Sequence, residues 1–492
     1  MATTAAHQLP ERTDARTPDA APLIDEARRL FALQRANRWR VANGTAAERR
    51  AKLARLRDAI LAHREVACEA MWADFRKHRV EVELTEIQPT LAELADARAH
   101  VARWMRPRRA GTPWLLAGTR SEVRYEARGV TLIMAPWNYP FTLLLSPLVA
   151  AVAAGNTAIL RPSEKVPRTA AVLASIVRQA FPEEEAACLT EPGVELANAL
   201  LTFPFDHIFF TGSTRVGRRV MAAAAEHLAT VTLELGGKSP LVVDESADLT
   251  HAARRTAWGK FINAGQTCVA PDYVLVHESR AADFVAALTR AIGEFYGETE
   301  EARQASPDFA RAIDDAAFRR LAALLEESVA AGARVAVGGR TDARDRYVAP
   351  TVLTGVEWDS PAMREEIFGP ILPVLTYRTL DEVVERISAA GKPLALYLFS
   401  RREEAVRRVL RETSSGGAAV NDVVIHLANP NLPFGGVGES GQGSYHGWYG
   451  FRTFSHERSV LRQGRASLAA AFHPPYGPRT RRLLGLVGRL FG

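Results

Sequence analysis

The sequence predicts an α/β protein built on parallel sheets and divided into two or three domains. Three observations predict it. From Gly129 onward, short apolar strand-like runs alternate with helical patterns, as in βαβ units. The chain has 492 residues, too long for one ordinary hydrophobic core. Its 47% apolar and 24% charged content is that of a soluble globular protein, not of a disordered or membrane-embedded one.

Taken in order, residues 1–22 are polar, carry Glu11, Arg12, Asp14 and Arg16, and lack the apolar run of a secretory signal. They read as a disordered tail. Leu23 to about Arg109 reads as helical, with Leu53, Leu56, Ile60 and Leu61 recurring at helical spacing among charges. Residues 110–128 hold Gly, Pro and short apolar pieces around Val123 and Tyr125, and suggest a small hairpin. Strands follow at Val130–Met134, Thr157–Leu160 and His207–Phe210, separated by helices at Leu143–Ala154 and Arg168–Ala180. A second α/β stretch begins near Gly236. It offers strands at Pro240–Val243, Tyr273–Val276, Ile371–Thr376 and Leu394–Phe399, with helices at Ala247–Asn263, Arg280–Phe295, Asp308–Ala331 and Leu380–Ala389. After Pro474-Pro475-Tyr476, the residues Leu483, Leu484, Val487, Leu490 and Phe491 can share one helical face, with Arg479, Arg481, Arg482 and Arg489 elsewhere. Such a basic amphipathic segment either touches an anionic membrane surface or docks on protein; Gly485 and Gly488 weaken it as a helix.

Several function classes are excluded at this level. The 62 Lys and Arg against 56 Asp and Glu leave a net charge of +6, and the basic residues are interspersed with acids, so nucleic acid is not an expected partner. Cys68, Cys188 and Cys268 form no CxxC pair, which argues against a disulfide framework and for reduced, cytoplasmic thiols. No HExxH or paired CxxC spacing suggests a metal. The most apolar stretch, near Thr142–Ala154, is too short to span a bilayer.

Two motifs match only in their letters. Gly436-Val-Gly-Glu-Ser-Gly441 has the G-x-G-x-x-G spacing, but no strand precedes it and no long apolar helix follows, so it reads as a connecting loop. Gly237-Lys238-Ser239 resembles the end of a phosphate-binding loop, but Thr232 stands where its first glycine belongs.

Three other features point to chemistry. Gly212-Ser-Thr-Arg-Val-Gly217 follows a strand and opens a helix. Gly212 allows a tight turn, Gly217 a close helix–strand approach, and Ser213 with the helix N-terminus can hold a pyrophosphate. Taken alone, a plain strand–turn–helix explains it equally well. Cys268 lies in the polar turn Gly265-Gln-Thr-Cys268, not in an apolar run; a lone cysteine usually packs in a core, but this placement suits a reactive thiol. Glu234 is the lone acid in Val231-Thr-Leu-Glu-Leu-Gly-Gly237. It is either an edge-strand residue facing water or a partly buried carboxyl suited to general-base work.

Ala135-Pro-Trp-Asn-Tyr-Pro140, Phe210-Thr-Gly-Ser213, Leu233-Glu-Leu-Gly-Gly-Lys238, Gly265-Gln-Thr-Cys268, Glu365-Glu-Ile-Phe-Gly-Pro370 and Pro433-Phe-Gly-Gly-Val-Gly438 occur in this order. Over residues 25–462 the chain thereby resembles the aldehyde dehydrogenase superfamily. Asn263–Tyr273 and Pro162-Ser-Glu164 resemble its class 3 branch, and within it the bacterial coniferyl-aldehyde dehydrogenases. The resemblance implies a Rossmann-like cofactor domain at 23–234 with a bridging, oligomerising hairpin at 110–128 inserted. It also implies an α/β catalytic domain at 235–432, a return segment at 433–465 and a tail at 466–492.

It implies, further, that Cys268 is the nucleophile, Glu234 the general base and Asn138 an oxyanion-hole donor beside the Cys268 backbone N–H. Trp137, Gly212, Ser213 and Gly217 would line the cofactor cleft. Glu164 would approach the adenosine ribose, with Arg161 and Ser163 also among the cofactor-binding residues, and Glu366 and Phe368 would position the nicotinamide ribose and ring. The implied cofactor is NAD or NADP, the substrate a bulky apolar aldehyde, aromatic or long-chain, and the assembly a homodimer. One departure bears on cofactor choice: Arg161 stands where the family usually has Lys, and its larger planar group is not equivalent. A CoA-acylating dehydrogenase and a non-catalytic protein on the same fold are the alternatives; the first commonly lacks the base at the Glu234 position, and the second would be marked by loss of Cys268 or Glu234.

Overall fold

A computed structural model of the chain describes residues 21–465 and 472–491. Most of the expected 1–22 tail lies outside the described residues, but Ala21 and Pro22 already belong to a helix, Ala21–Ala42. The helical N-terminal third is present as Ala21–Ala42, Ala46–Ala62, Arg64–Phe75 and Gln88–Trp104, with a short turn at Arg79–Val82 running into a π-helical segment, Glu83–Ile87. The second helix starts at a capping box, in which Thr45 and Glu48 satisfy each other's backbone N–H groups. Leu53, Leu56 and Ile60 are fully buried on one face, whereas Leu61 is 46% exposed. One residue past Ile60 turns it about 100° off that face.

Two parallel-type sheets follow. The first runs in the order 441–442, Thr230–Glu234, His207–Thr211, Val130–Met134, Thr157–Arg161, Ala186–Cys188, parallel throughout except for its first edge. From Val130–Met134 the chain winds outward to 157–161 and 186–188, then crosses back to place 207–211 on the other side. The strand order thus reverses between 130–134 and 207–211, where open α/β sheets carry their ligand crevice at the carboxyl ends. The strands are buried on both faces, which is why they read as near-continuous apolar runs.

The second sheet runs 334–337, 351–354, 371–377, 273–277, 240–243, 395–399, 417–420, with only its first strand antiparallel. Five residues, 235–239, lead from the carboxyl end of 230–234 to the amino end of 240–243. The carboxyl edge of one sheet therefore meets the amino edge of the other.

Some expected elements are corrected. The helix expected at 308–331 begins only at Asp315, where Asp314 caps it; 308–313 is loop, and its Phe309 through Ile313 are buried. The helix expected to reach Asn263 ends at Phe261, because Asn263 and Ala264 turn left-handed. The hairpin expected at 110–128 is present with its first strand displaced: Arg108–Ala110 pairs antiparallel with 121–123. Thr119–Ala127 lies between Arg108–Ala110 and the distant Ser455–Gln463 in a three-stranded antiparallel sheet. The short strands 334–337, 351–354 and 417–420 lack a sequence signal. Residues 478–491 do form a helix despite two glycines; Leu483 and Val487 are half-buried, while Leu484, Leu486 and the four arginines are exposed. Leu490 and Phe491, expected on the same face, have side chains outside the description. No helix among the described residues is long and apolar enough to cross a membrane.

Candidate active site

Cys268 sits where the two sheet edges meet, at the end of a strained loop. Asn263, Ala264 and Gly265 have φ of 53°, 51° and 72°, three left-handed residues in succession. Side chains hold the loop in this shape. Gln266, 1% exposed, donates to the carbonyls of Asn263 and Arg311, both at 3.0 Å, and accepts from the Ile313 N–H at 3.0 Å. The Asn263 N–H donates to Glu81 at 2.9 Å. A Cβ at Gly265 would stand 2.3 Å from the Gly369 carbonyl oxygen, so the loop packs against the Glu366–Pro370 segment only because that residue is glycine.

Asn138 is brought to the same place by the turn after strand 130–134. It is 2% exposed, and its Nδ2 donates to the Gln266 carbonyl at 2.9 Å, while its own carbonyl accepts from Asn263 Nδ2 at 2.8 Å. An amide nitrogen carries two hydrogens, so this bond orients the group and spends one of them.

Glu234 ends strand 230–234 and is 3% exposed; its carbonyl accepts the Gly212 N–H at 3.0 Å. Neither carboxyl oxygen has a hydrogen-bond partner, and burial holds its pKa well above the usual carboxylate range. The water-facing alternative is thus overturned: strand 230–234 is flanked by 207–211 and by 441–442, so Glu234 is not at an edge. Burial also pushes the Cys268 thiol up to about 12, with Glu366 and Glu234 adding to it and the N–H groups of Cys268 and Val269 opposing.

Trp137, Arg161 and Ser213, also expected at the site, stand at the carboxyl ends of strands 130–134, 157–161 and 207–211, on one edge of the first sheet. Ser213 caps the helix Thr214–Ala225 through the Val216 N–H at the strand-order reversal. The Gly212 amide is spent on Glu234, so an anion there would rely on the helix's first turn. A Cβ on Gly217 would lie 2.7 Å from Leu235, which is the close helix–strand approach expected. Trp137 and Phe368 meet edge to face at 5.5 Å, and Phe368 has a φ of 46°. Glu366 lies against the crossing segment, where a Cβ on Gly236 would stand 2.1 Å from it; burial, then Asp272, pushes its pKa up to about 8. Arg161 is 3% exposed, donates to the Pro162 carbonyl at 2.7 Å and to Glu164 at 3.4 Å, and its Nε is buried without a partner. Ser163 Oγ accepts from the Lys165 N–H at 3.3 Å. The Gly436–Gly441 loop folds back on itself and contributes the short strand 441–442, confirming a connection and not a dinucleotide fingerprint.

Sequence reasoning missed the groups behind this site. Lys238 Nζ bonds Asp272 and the carbonyls of Ala362 and Glu365, tying the Glu366 segment to the crossing. Tyr139, Tyr397 and Tyr445 lie within electrostatic reach of Cys268: the Tyr397 hydroxyl donates to the Val269 carbonyl at 2.6 Å, and Phe434 packs on Tyr445 at 5.8 Å. Only the aromatic residues inside the quoted motifs gave any signal of this.

A profile of the aldehyde dehydrogenase family matches residues 6–460. The 4,4'-diaponeurosporen-aldehyde dehydrogenase of Staphylococcus aureus is 46% identical over 87% of this chain and 92% of its own. Aldehyde dehydrogenase family 3 member B1 of Homo sapiens is 43% identical over 94% of this chain and 97% of its own. The dimeric NADP-preferring aldehyde dehydrogenase of Rattus norvegicus is 49% identical over 69% and 73%. Among solved structures, the substrate-bound state of Staphylococcus aureus AldH superposes with a TM-score of 0.89 at 43% identity, covering 94% of this chain and 99% of that one. With its fold, its cleft and these relatives in agreement, the chain belongs to the aldehyde dehydrogenase family, in its class 3-like branch.

Proposed function

We propose that this NAD(P)-dependent aldehyde dehydrogenase oxidises a bulky apolar aldehyde to its carboxylic acid through a covalent thioester on Cys268, hydrolysed by a water that Glu234 activates. The observation that carries the reading is the buried, unpartnered Glu234 carboxyl at the junction that also holds Cys268 and Asn138. A buried carboxyl without a partner is costly, so one kept at this junction is a candidate for chemistry. Cys268 attacks the aldehyde carbon. The second Asn138 N–H and the Cys268 backbone N–H receive the developing oxyanion; one such donor is worth about 3 kcal/mol of barrier. Glu234 then takes a proton from the water that attacks the thioester.

The cleft fits a dinucleotide. The helix N-terminus at Ser213 suits a pyrophosphate, the orphaned Nε of Arg161 beside Glu164 suits an adenosine ribose, and Glu366 with Phe368 suits the nicotinamide end. The chemistry that bound NAD or NADP supplies is acceptance of a hydride. The Arg161 charge offsets Glu164, which supports use of both cofactors. The aromatic surroundings of Cys268 support an aromatic aldehyde such as coniferaldehyde or a medium- to long-chain aliphatic one, and the Staphylococcus aureus relative is named for a diaponeurosporen aldehyde. Glu234 favours hydrolysis over acyl transfer to CoA. A cytoplasmic homodimer is proposed on the likeness to the rat enzyme, named as dimeric, and peripheral contact with an anionic membrane on the exposed arginines and leucines of 478–491.

The test is reduction of NAD and of NADP with coniferaldehyde, benzaldehyde and a long-chain alkanal, each with and without CoA, for the parent and Cys268→Ala. Turnover of one aldehyde class, independent of CoA and lost in the variant, is expected. Turnover that needs CoA, or that survives Cys268→Ala, refutes the reading.

A further inference from the structure

Beneath the active-site loops lies an ion pair that the chemistry above does not use. Lys77 and Glu86 both have fully buried side chains, with Nζ 2.8 Å from Oε1. Glu86 belongs to the π-helical segment Glu83–Ile87, a local widening that often marks functional positions. Its second oxygen accepts the N–H groups of Phe141 and Thr142 at 3.1 and 3.0 Å. Those amides come directly after Asn138-Tyr139-Pro140. Lys77 Nζ also stands 3.9 Å from the centre of the Tyr139 ring. The Tyr139 hydroxyl shares a 2.6 Å hydrogen bond with Thr267 Oγ1, and Thr267 immediately precedes Cys268.

Two charges withdrawn wholly from water are expensive, and well-packed apolar groups would commonly serve stability as well or better. The pair's contacts indicate what it supplies instead. Through two backbone amides Glu86 fixes the loop that presents Asn138. Through one ring and one hydroxyl Lys77 reaches the residue beside the nucleophile. The two proposed donors of the oxyanion hole come from these two loops, which Asn138 and Asn263 also join through the Gln266 carbonyl; the Tyr139–Thr267 bond adds a link one residue from Cys268.

We propose that Lys77 and Glu86 are positioning residues that hold the Asn138 loop and the Thr267-Cys268 turn in register, with Tyr139 as the link between them. This rests on the reading of Cys268 as nucleophile and Asn138 as oxyanion donor. Lys77 touches no reacting atom; it acts by fixing the tilt of the Tyr139 ring, and so the distance between the two donors and the carbonyl oxygen that becomes the oxyanion. A displacement of about an ångström at such a site costs on the order of 100-fold in rate.

The measurement is the rate at which p-nitrophenyl acetate acylates Cys268 in the full chain, read as nitrophenolate release, which forms the same oxyanion without a cofactor. Three changes are compared: Tyr139→Phe, which keeps the ring under Lys77 and removes only its bond to Thr267; Lys77→Met with Glu86→Gln, which removes both charges together; and all three at once. Unfolding midpoints and binding of NAD are measured beside them. Expected are near-parental midpoints and NAD affinity, acylation slowed about 10-fold or more in each of the first two, and a combined loss no greater than the larger single loss, as for groups acting in one chain. Acylation within twofold of the parent in Tyr139→Phe, or losses that multiply, overturns the proposal; if the charge-free variant fails to fold, Tyr139→Phe alone decides. Cys268→Ala is run alongside. If it still acylates, the nucleophile reading fails by itself, whatever Lys77 does.

Discussion

Glu234→Gln separates the two halves of the reaction. Neither carboxyl oxygen of Glu234 bonds to anything, so the substitution breaks no contact and keeps the shape. What it removes is the proposed base. Positioned general bases contribute about 10²- to 10⁴-fold, or about 3 to 5 kcal/mol of barrier at 1.36 kcal/mol per decade. Acylation and hydride transfer do not need this base. The variant is therefore expected to release about one equivalent of reduced cofactor per site in a fast burst, then stall, with the acyl group found on the Cys268 peptide by mass spectrometry. In the parent the steady rate should rise with pH as Glu234 loses its proton; in the variant that rise should vanish. Stability gives an independent check of sign. Burial raises the folded pKa of Glu234 above its unfolded value, so the stability it leaves intact at acid pH is lost as pH rises from the unfolded toward the folded value. Glu234→Gln has no such loss and should be the more stable protein at alkaline pH, with the advantage closing near pH 4. A steady-state rate within about threefold of the parent, far short of the 10²-fold minimum, would show that Glu234 is not the base.

Two further outcomes are expected. Glu81 is pushed up to about 7, chiefly by burial, with Lys77 and the Asn263 amide opposing; its contribution to stability is present below about pH 4.5 and lost as pH rises to about 7. Glu81→Gln should therefore gain about 1 kcal/mol on the parent between pH 5 and 8 in urea unfolding, less than the full shift implies because the side chain is only half-buried; identical pH dependence in the two proteins refutes this. Removing residues 479–492 should abolish co-sedimentation with anionic liposomes, since the exposed Arg479, Arg481, Arg482, Arg489, Leu484 and Leu486 go with them; unchanged sedimentation ends the membrane proposal.

The strands at 130–134, 157–161, 207–211, 240–243 and 273–277 were legible because burial on both faces leaves an unbroken apolar signature. The strands at 334–337 and 417–420 were not, because each lies at the edge of its sheet and mixes charged, small or exposed residues. Residues 110–128 suggested a local hairpin, and 119–127 does pair with the nearby 108–110; its longer partner, 455–463, is more than 300 residues away, and no local pattern reports such a pairing. Lys77 and Glu86 were invisible for a different reason. In a helical sequence rich in charge, a buried Lys and Glu look the same as the solvated pairs around them, and only tertiary packing shows that these two have lost all contact with water.

The loop before Cys268 shows why the motif there is as long as it is. A left-handed residue costs an L side chain about 1–2 kcal/mol, and here three stand in a row. Gly265 bears that conformation freely, and Asn263 offsets its cost by bonding the carbonyls of Asn138 and Gln266. Ala264 has no polar group with which to compensate. Gln266 spends its side-chain amide on three backbone groups, which closes the loop against residues 311–313. Thr267 supplies the hydroxyl that meets Tyr139. Asn263, Gly265, Gln266 and Thr267 are thus explained by the conformation and contacts of the loop, and Cys268 is left to the proposed reactivity. The string Asn-Ala-Gly-Gln-Thr-Cys is read most simply as the imprint of a strained turn, stabilised by its own side chains, that leaves one thiol within electrostatic reach of Glu366 and Glu234.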